Sequence, residues 1–360
     1  MQQFQIAKDQ FSKTRIVDCL STPLDDGEVR VKVEAFSFTA NNITYALVAD
    51  MFGYWKFFPP VSADGEAWGV LPVWGFACVT ESRCSEVAVG ERIFGYFPPA
   101  TELVMVPTHI YASRWVDNVV HRQALPAGYN QYRRIEAGIV NDPRSEDERM
   151  LLFPLHITSY CLFDRLQTAE YFSAEQIIIV SASSKTSIGL AYGVHGDVAA
   201  PELIGLTSAR NQDLVTALGC YDGVLSYDAI TAIDSSKATA IVDMSGNGEL
   251  MAALHRHLGD NMRQTISVGF THWEQGAKLP GFIEERSEMF FAPGYIQVRS
   301  KDIGVDEFER RSTDYMQDTV AKSRSWLKMT DIDGLAGLRE IFDTVCNGEI
   351  AADAGLIVRL

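Results

Sequence analysis

One short stretch limits this chain more than any other. Gln176 opens an unbroken apolar run, Ile177-Ile178-Ile179-Val180, and a polar turn from Ser181 to Ser187 follows at once. A run of that length, β-branched and without alternation, is a strand buried on both faces, as in a parallel sheet. A helical segment from Ile188 to about His195 comes next. A second apolar run, Glu202 to Leu206, ends in Thr207-Ser208-Ala209-Arg210. Strand, turn, helix, strand is the unit that holds a dinucleotide at the carboxyl ends of its strands. The turn offers backbone N–H groups and a helix N-terminus to a pyrophosphate. Ser183, Ser184, Lys185 and Thr186 are the candidate contacts.

The end of the second strand falls roughly 20 residues after the turn, where such folds choose between the two nicotinamide cofactors. An acidic residue there would bind a ribose 2′-hydroxyl. The tip carries Thr207, Ser208 and Arg210 instead. A hydroxyl and a guanidinium suit a 2′-phosphate, because Arg grips phosphate in a fixed fork. The expected cofactor is therefore NADPH. The plainer alternative is that Ser208 caps a helix and Arg210 is a surface charge. The G-x-G-x-x-G fingerprint is absent, with Ser184, Lys185 and Ser187 where glycines would stand.

Composition narrows the function class. The chain has 360 residues, enough for two domains. Hydrophobic content of 47% and charged content of 22% are those of a soluble globular protein. A net charge of −16 opposes binding to nucleic acid or to an anionic membrane surface. No apolar run approaches the ~20 residues of a membrane span. Met1-Gln2-Gln3-Phe4-Gln5 lacks the charged and apolar regions of a signal peptide. Cysteines stand singly at 19, 78, 84, 161, 220 and 346, with no C-x-x-C pair. Neither a zinc ribbon nor a disulfide framework is indicated, and the expected compartment is the cytoplasm.

Before the nucleotide unit the chain is β-rich. Val29, Val31, Val33 and Ala35 alternate with Arg30, Lys32 and Glu34, a half-buried antiparallel strand. Thr39 to Ala46 is a polar loop or short helix, and Gly53 to Pro60 is an aromatic loop. Short strands are expected around Trp68–Leu71, Gly75–Ser82, Arg92–Tyr96 and Thr101–Val106. Leu125 to Arg149 reads as a connection and Leu151 to Leu166 as a helix. After Arg210, strands at Gly223–Tyr227, Ala238–Met244 and Gln264–Phe270 alternate with helices, giving a parallel sheet covered on both faces. A charged helix from Asp306 to Leu327, a helix from Leu335 to Val345 and a strand from Gly355 to Leu360 close the chain. His255 and His257 read as surface residues, and no G-x-S-x-G elbow occurs.

With these parts in order, the chain resembles the medium-chain dehydrogenase/reductase superfamily. The likeness is to its zinc-free quinone-reductase and enoyl-reductase branches, and more narrowly to a bacterial family within it. It is carried by Glu28 to Ala46, Val87 to Ile93, Ile177 to Leu190, Asp243 to Gly246, Val268-Gly269, and Asn347-Gly348 through Gly355 to Val358. The resemblance implies an α/β chain with a GroES-like β-rich catalytic domain, residues 1–150 and 291–360. A Rossmann-type doubly wound parallel sheet, residues 151–290, would bind NADPH. Pro72 to Cys78 lacks the Gly-His-Glu motif of zinc-dependent relatives, and the four-cysteine lobe is missing, so no metal is expected.

By the same resemblance, groups from the first domain face the nicotinamide: Tyr54, Tyr45 and Asn42. Hydride addition to an enone or quinone leaves an oxyanion that must be protonated or hydrogen-bonded, which a phenol can do. Tyr54 is equally readable as packing among Trp55, Phe57 and Phe58, and the Phe52–Phe58 aromatics as pocket or core. Tyr227, Ser245, Gly269 and Phe270, at strand ends, complete the cofactor contacts, with a small-molecule substrate between the domains. A homodimer through the strand Gln264–Phe270 is implied. The function so read is NADPH-dependent reduction of an activated C=C or a quinone. The alternative, motivated by the lost glycines, is a non-catalytic cofactor-binding or sensor protein.

Overall fold

The computed structural model describes residues 1–62, 64–135, 142–268 and 279–360. Two compact units make up the chain: Met1–Leu151 with Lys328–Leu360, and Leu152–Leu327.

In the first unit β1 (Gln2–Ala7) pairs antiparallel with β2 (Thr14–Asp18). β3 (Val29–Phe38) is the centre of a larger sheet. Its first half alternates as the sequence reads, with Val29, Val31 and Val33 buried and Lys32 exposed; in its second half Phe36, Ser37 and Phe38 are all buried. The Ser37 hydroxyl is satisfied there by donating to the Met150 carbonyl at 2.7 Å. α1 (Ala40–Leu47) and α2 (Ala49–Phe52) follow, and the chain leaves α2 through Gly53, whose φ of 74° is costly for any residue with a Cβ. β4 (Trp68–Gly69) pairs with β1. β5 (Val73–Ser82), β6 (Arg92–Phe97), β7 (Glu102–Met105), β8 (Pro107–Thr108), β9 (Arg114–Asp117) and β10 (Gln131–Ile135) then build out from β3. On one side the order is β3, β5, β6, β10, β9, β8, each pair antiparallel; β7 pairs with the other edge of β3. β10 falls in the stretch that reads as a connection. Only Tyr132 of its five residues is fully buried, so it makes no apolar run.

A buried ion pair ties the far end of this sheet together. The Arg122 guanidinium bonds Asp117, donates to the Tyr132 hydroxyl at 3.0 Å, and lies over the Phe58 ring. Asp117 in turn accepts from the backbone N–H groups of Val106 and Val119 at 2.9 and 3.1 Å. Both charges are 1% exposed or less, so each depends on the other for its solvation.

Helix α3 (Pro143–Thr168) carries the chain into the second unit. There β11 (Gln176–Val180), α4 (Lys185–His195), β12 (Glu202–Thr207), α5 (Gln212–Ala217), β13 (Gly223–Ser226), β14 (Thr239–Asp243), α6 (Gly248–Leu258), β15 (Met262–Val268) and β16 (Ser287–Phe290) follow in turn. The strand order is β13-β12-β11-β14-β15-β16, and every pairing is parallel. This is the doubly wound order, which reverses between β11 and β14. Successive residues of β11 feed opposite cores. Ile177 and Ile179 pack with Leu162, Leu166 and Ile188; Ile178 and Val180 pack with Met251, Leu254 and Leu258. Burying each of these side chains contributes roughly 1.5–3 kcal/mol.

Three expectations are corrected here. The strand expected over Gln264–Phe270 is not the edge of its sheet: β16 pairs with β15 along Thr265–Val268, so the edges are β13 and β16. Ser287-Glu288-Met289-Phe290, with a single buried residue, carries no strand signature. The return to the first unit, expected at residue 291, comes at Lys328. α7 (Ala292–Ile303) and α8 (Val305–Ser323) belong to the second unit, where Phe308 and Tyr315 pack against Tyr160 at 5.4 and 5.5 Å. His255 is fully buried on the inner face of α6, not on the surface. The Ile283 N–H donates to its Nδ1 at 2.9 Å, its Nε2 meets the Thr265 hydroxyl at 2.9 Å, and burial pushes its pKa down to about 4. His257 bonds the Ile233 carbonyl at 2.8 Å.

The chain ends in the first unit with β17 (Lys328–Asp333), α9 (Gly334–Cys346) and β18 (Ala354–Arg359). β18 lies parallel to β17 and antiparallel to the end of β3. Phe342 of α9 packs on Phe4 and Phe38 at 5.4 and 5.6 Å. Among the described residues no helix is long and apolar enough to cross a membrane.

Replacing Arg122 by Ala leaves Asp117 charged and buried without its partner. The expected loss is about 3–5 kcal/mol of stability, read as a lowered thermal or urea midpoint of the first unit.

Candidate functional site

The carboxyl ends of β11, β12 and β14 gather the residues that the sequence assigns to cofactor binding. Directly after β11, Ser181 takes a left-handed backbone, φ +63°, in place of a glycine. Ala182 then turns back, its N–H donating to the Leu206 carbonyl at 3.0 Å. Ser183 is buried, and its hydroxyl oxygen accepts from Thr207 Oγ1 at 3.2 Å and Asn211 Nδ2 at 2.9 Å. Ser184 caps α4: its Oγ accepts from the Ser187 N–H at 3.1 Å and donates to Ser187 Oγ at 2.8 Å. Lys185 and Thr186, both half-buried, form the first turn of α4. The positive end of the helix is thereby presented at this edge of the sheet.

Hydroxyls from neighbouring elements hold that turn from behind. Ser159 of α3 donates to the Thr186 carbonyl at 2.7 Å, Tyr315 of α8 to Gly189 O at 2.7 Å, and Tyr221 to Ala182 O at 3.1 Å. Gly189 lets α4 approach α3 closely, since a Cβ there would meet Ser159 Oγ at 2.6 Å and the His156 ring at 2.9 Å. The His156 Nδ1 and the Thr319 hydroxyl are hydrogen-bonded at 2.9 Å. Burial pushes the His156 pKa down to about 3, which keeps it neutral beneath the helix.

At the tip of β12, Ser208 opens the short turn Ala209–Asn211 without a side-chain cap bond, and Arg210 is exposed. No acidic residue stands between Thr207 and Asn211. Tyr227, half-buried at the end of β13, has its pKa raised by burial, opposed by a hydrogen bond with Ser181. Ser245 donates through both N–H and hydroxyl to Asp243 Oδ1, at 2.8 and 2.6 Å. Asp243 is buried at the end of β14, and desolvation raises its pKa. Gly269 and Phe270 lie outside the described residues. Asp243 and Asn211 were missed as site residues, although the turn after β14 was legible in Ser245-Gly246-Asn247-Gly248.

The first unit contains the predicted phenols, and it places them in one cluster. Tyr45 on α1 and Tyr54, in the short turn Tyr54–Lys56, stack with ring centroids 4.6 Å apart. Tyr96 of β6 meets Tyr45 edge-on at 6.0 Å, and Tyr129, from the turn Ala127–Asn130, meets Tyr96 at 4.7 Å. The Tyr54 and Tyr129 hydroxyls are 3.0 Å apart. Tyr54 is 4% exposed, whereas Tyr129 is half-buried. Burial is the largest influence on all four phenols and raises each pKa, so they are neutral proton donors rather than phenolates. Tyr129 and Tyr96 were not predicted; their places in the chain carry no local signal.

Asn42 sits apart from this chemistry. Its Oδ1 accepts from the Thr39 N–H at 2.8 Å, completing the capping box of α1, and its Nδ2 donates to the Pro72 carbonyl at 2.8 Å. Both ends of the amide are spent on placing α1, and hence Tyr45. Phe57 and Phe58 are core, 0% and 2% exposed. Among the described residues no three His, Cys, Asp or Glu side chains group as metal ligands.

The chain can be set beside known proteins. Residues 36–351 match the model of a family described as "Protein of unknown function (DUF2855)". No curated protein sequence matches the chain. Among solved structures it is similar to CurA in complex with NADPH from Vibrio vulnificus, at 11% identity, TM-score 0.62, covering 100% of this chain and 99% of that one. It is also similar to the quinone oxidoreductase from Coxiella burnetii, at 14% identity, TM-score 0.57, covering 100% and 99%. A mutant form of enoyl thioester reductase from Candida tropicalis matches at 11% identity, TM-score 0.56, covering 100% and 99%. The likeness at such identities is one of fold, the two-part α/β fold of quinone and enoyl reductases.

Proposed function

The chain belongs to the family described as "Protein of unknown function (DUF2855)", and from that premise we propose that it is an NADPH-dependent oxidoreductase. It reduces an activated C=C or a quinone without zinc. The observation that carries this reading is the capped N-terminus of α4 at the carboxyl end of β11, where the strand order reverses. Ligands of doubly wound sheets sit at that point, and pyrophosphate suits a helix N-terminus. The structural neighbour bound to NADPH supports the choice of ligand.

NADPH supplies the hydride when bound. The residues divide the remaining work. Backbone N–H groups at the N-terminal turn of α4 receive the pyrophosphate, with the Lys185 side chain adding charge. Ser208 and Arg210 receive the 2′-phosphate, and Tyr227 and Ser245 border the nucleotide. Tyr54, with Tyr45 stacked on it, gives its phenolic proton to the oxyanion that forms on the reduced substrate. Asn42 serves by holding α1 in place.

A second reading, cofactor binding without catalysis, draws on one feature. The Ser183, Ser184 and Ser187 hydroxyls are bonded within the turn and to β12, in place of glycines that would admit a closer phosphate. NADPH oxidation against quinones, enones and enoyl thioesters separates the two, since binding with no turnover on any of them favours the second.

We also propose a homodimer, formed through the free edge of β16 rather than through β15. Met289 is exposed there, and β16 has no strand beyond it among the described residues. Light scattering should return twice the chain mass across a concentration series; a monomer mass throughout refutes the pairing.

Arg210→Ala should weaken NADPH binding and leave NADH nearly unchanged, as fluorescence titration of both cofactors will show; equal losses refute the 2′-phosphate contact. Tyr54→Phe should lower kcat by about 10²–10³, the scale for losing one donor to a developing oxyanion, with NADPH affinity retained. Full turnover by that variant would make Tyr54 a packing residue and pass the role to Tyr45.

A further inference from the structure

The Tyr54 and Tyr129 hydroxyls, 3.0 Å apart, join the phenol of a buried residue to that of a half-buried one. Tyr54 is walled by the rings of Tyr45 at 4.6 Å, Phe57 at 5.8 Å and Tyr129 at 5.9 Å. Once Tyr54 has given its proton away, its oxygen carries a charge in apolar surroundings, and water has little access to it. The hydroxyl of Tyr129 is the donor placed to answer that charge.

We propose that Tyr129 is a positioning and relay residue that acts through Tyr54: its hydroxyl donates to the Tyr54 oxygen and restores the proton that Tyr54 loses in each turnover. This rests on the reading of Tyr54 as proton donor. With Tyr129 donating, the Tyr54 O–H is directed away from Tyr129 and is available to an acceptor. The steps balance without any redox change. The Tyr54 O–H bond breaks as the proton passes to the substrate oxyanion. The Tyr129 O–H bond then breaks as that of Tyr54 reforms. The Tyr129 phenolate takes its proton from solvent water, Tyr129 being the less buried residue of the pair.

A relay has a kinetic mark that a packing role lacks. The resting protein already holds the Tyr54 proton, so the first turnover needs no resupply. The Tyr129→Phe variant keeps the ring against Phe57 and Tyr96, 5.2 and 4.7 Å away. In a single turnover with protein in excess of NADPH, its rate should fall by less than the steady-state rate does, because only the hydrogen bond to the developing phenolate is lost there. Its steady-state kcat should fall on the order of 10²-fold, the lower end of what a positioned proton donor contributes, with KM little changed. Tyr129→His, which retains a transferable proton, should recover part of the steady-state rate. Equal losses in the first and later turnovers, or no loss in either, overturn the relay. A second readout needs no turnover. In protein carrying 3-fluorotyrosine, the Tyr54 fluorine resonance, assigned by its loss in Tyr54→Phe, should move in Tyr129→Phe and not in Tyr111→Phe. A resonance that ignores Tyr129 means the pair does not exist in solution. A resonance that responds, in a protein that reduces none of the acceptors, means instead that the proposed reaction is wrong and the relay falls with it.

Discussion

Burial of β11 on both faces is the constraint on which the second unit depends. A strand that sends Ile177 and Ile179 to one core and Ile178 and Val180 to the other must have helices on both sides. Helices on both sides require crossover connections, and crossovers make the sheet parallel. A parallel sheet aligns all its carboxyl ends on one edge. That is why Ser183, Ser208, Tyr227 and Ser245, spread over more than sixty positions of the chain, come to one rim of this unit. That gathering follows from how the four apolar residues of β11 are buried.

The turn after β11 reaches by side chains what related turns reach by glycine. Glycine permits a tight path and close approach, at a cost in the entropy lost on folding. Here Ser181 accepts the left-handed backbone, and the path is fixed by hydroxyls: Thr207 on Ser183, Ser159 on the Thr186 carbonyl, Tyr221 on the Ala182 carbonyl, Tyr315 on Gly189. Glycine remains where two helices must touch, at Gly189 against Ser159 and His156. A turn fixed by its own hydrogen bonds has less freedom left to lose when a ligand binds.

What could be read from the sequence was what short-range pattern encodes. The run Ile177–Val180, the alternation of Val29, Val31 and Val33, and the missing acid at the tip of β12 each lie within a few residues. What could not be read depends on distant partners. The hydroxyl partner of Tyr129 is Tyr54, 75 positions away. His255 looked like a surface residue because nothing nearby shows that Thr265 and the Ile283 backbone wait for it. β16 is a strand because β15 offers it an edge, not because Ser287-Glu288-Met289-Phe290 prefers one. Asn42 could be read as a group facing the nicotinamide or as one that holds its loop, and only its two partners, Thr39 and Pro72, show it holding the start of α1.

The placement of β18 against β3 bears on the order in which the molecule can form. The second unit is continuous, Leu152–Leu327, so every contact it needs is present once that segment exists. The first unit is interrupted by it. β3 carries β7 along the first half of one edge, and the second half of that edge stays bare until Leu356–Arg359 arrives from more than three hundred positions downstream. Until then Phe38, which packs on Phe342, lacks its cover. During synthesis the sheet of the first unit would wait with an open edge and an uncovered aromatic face, a state prone to self-association. The second unit would be complete first, although it comes later in the chain.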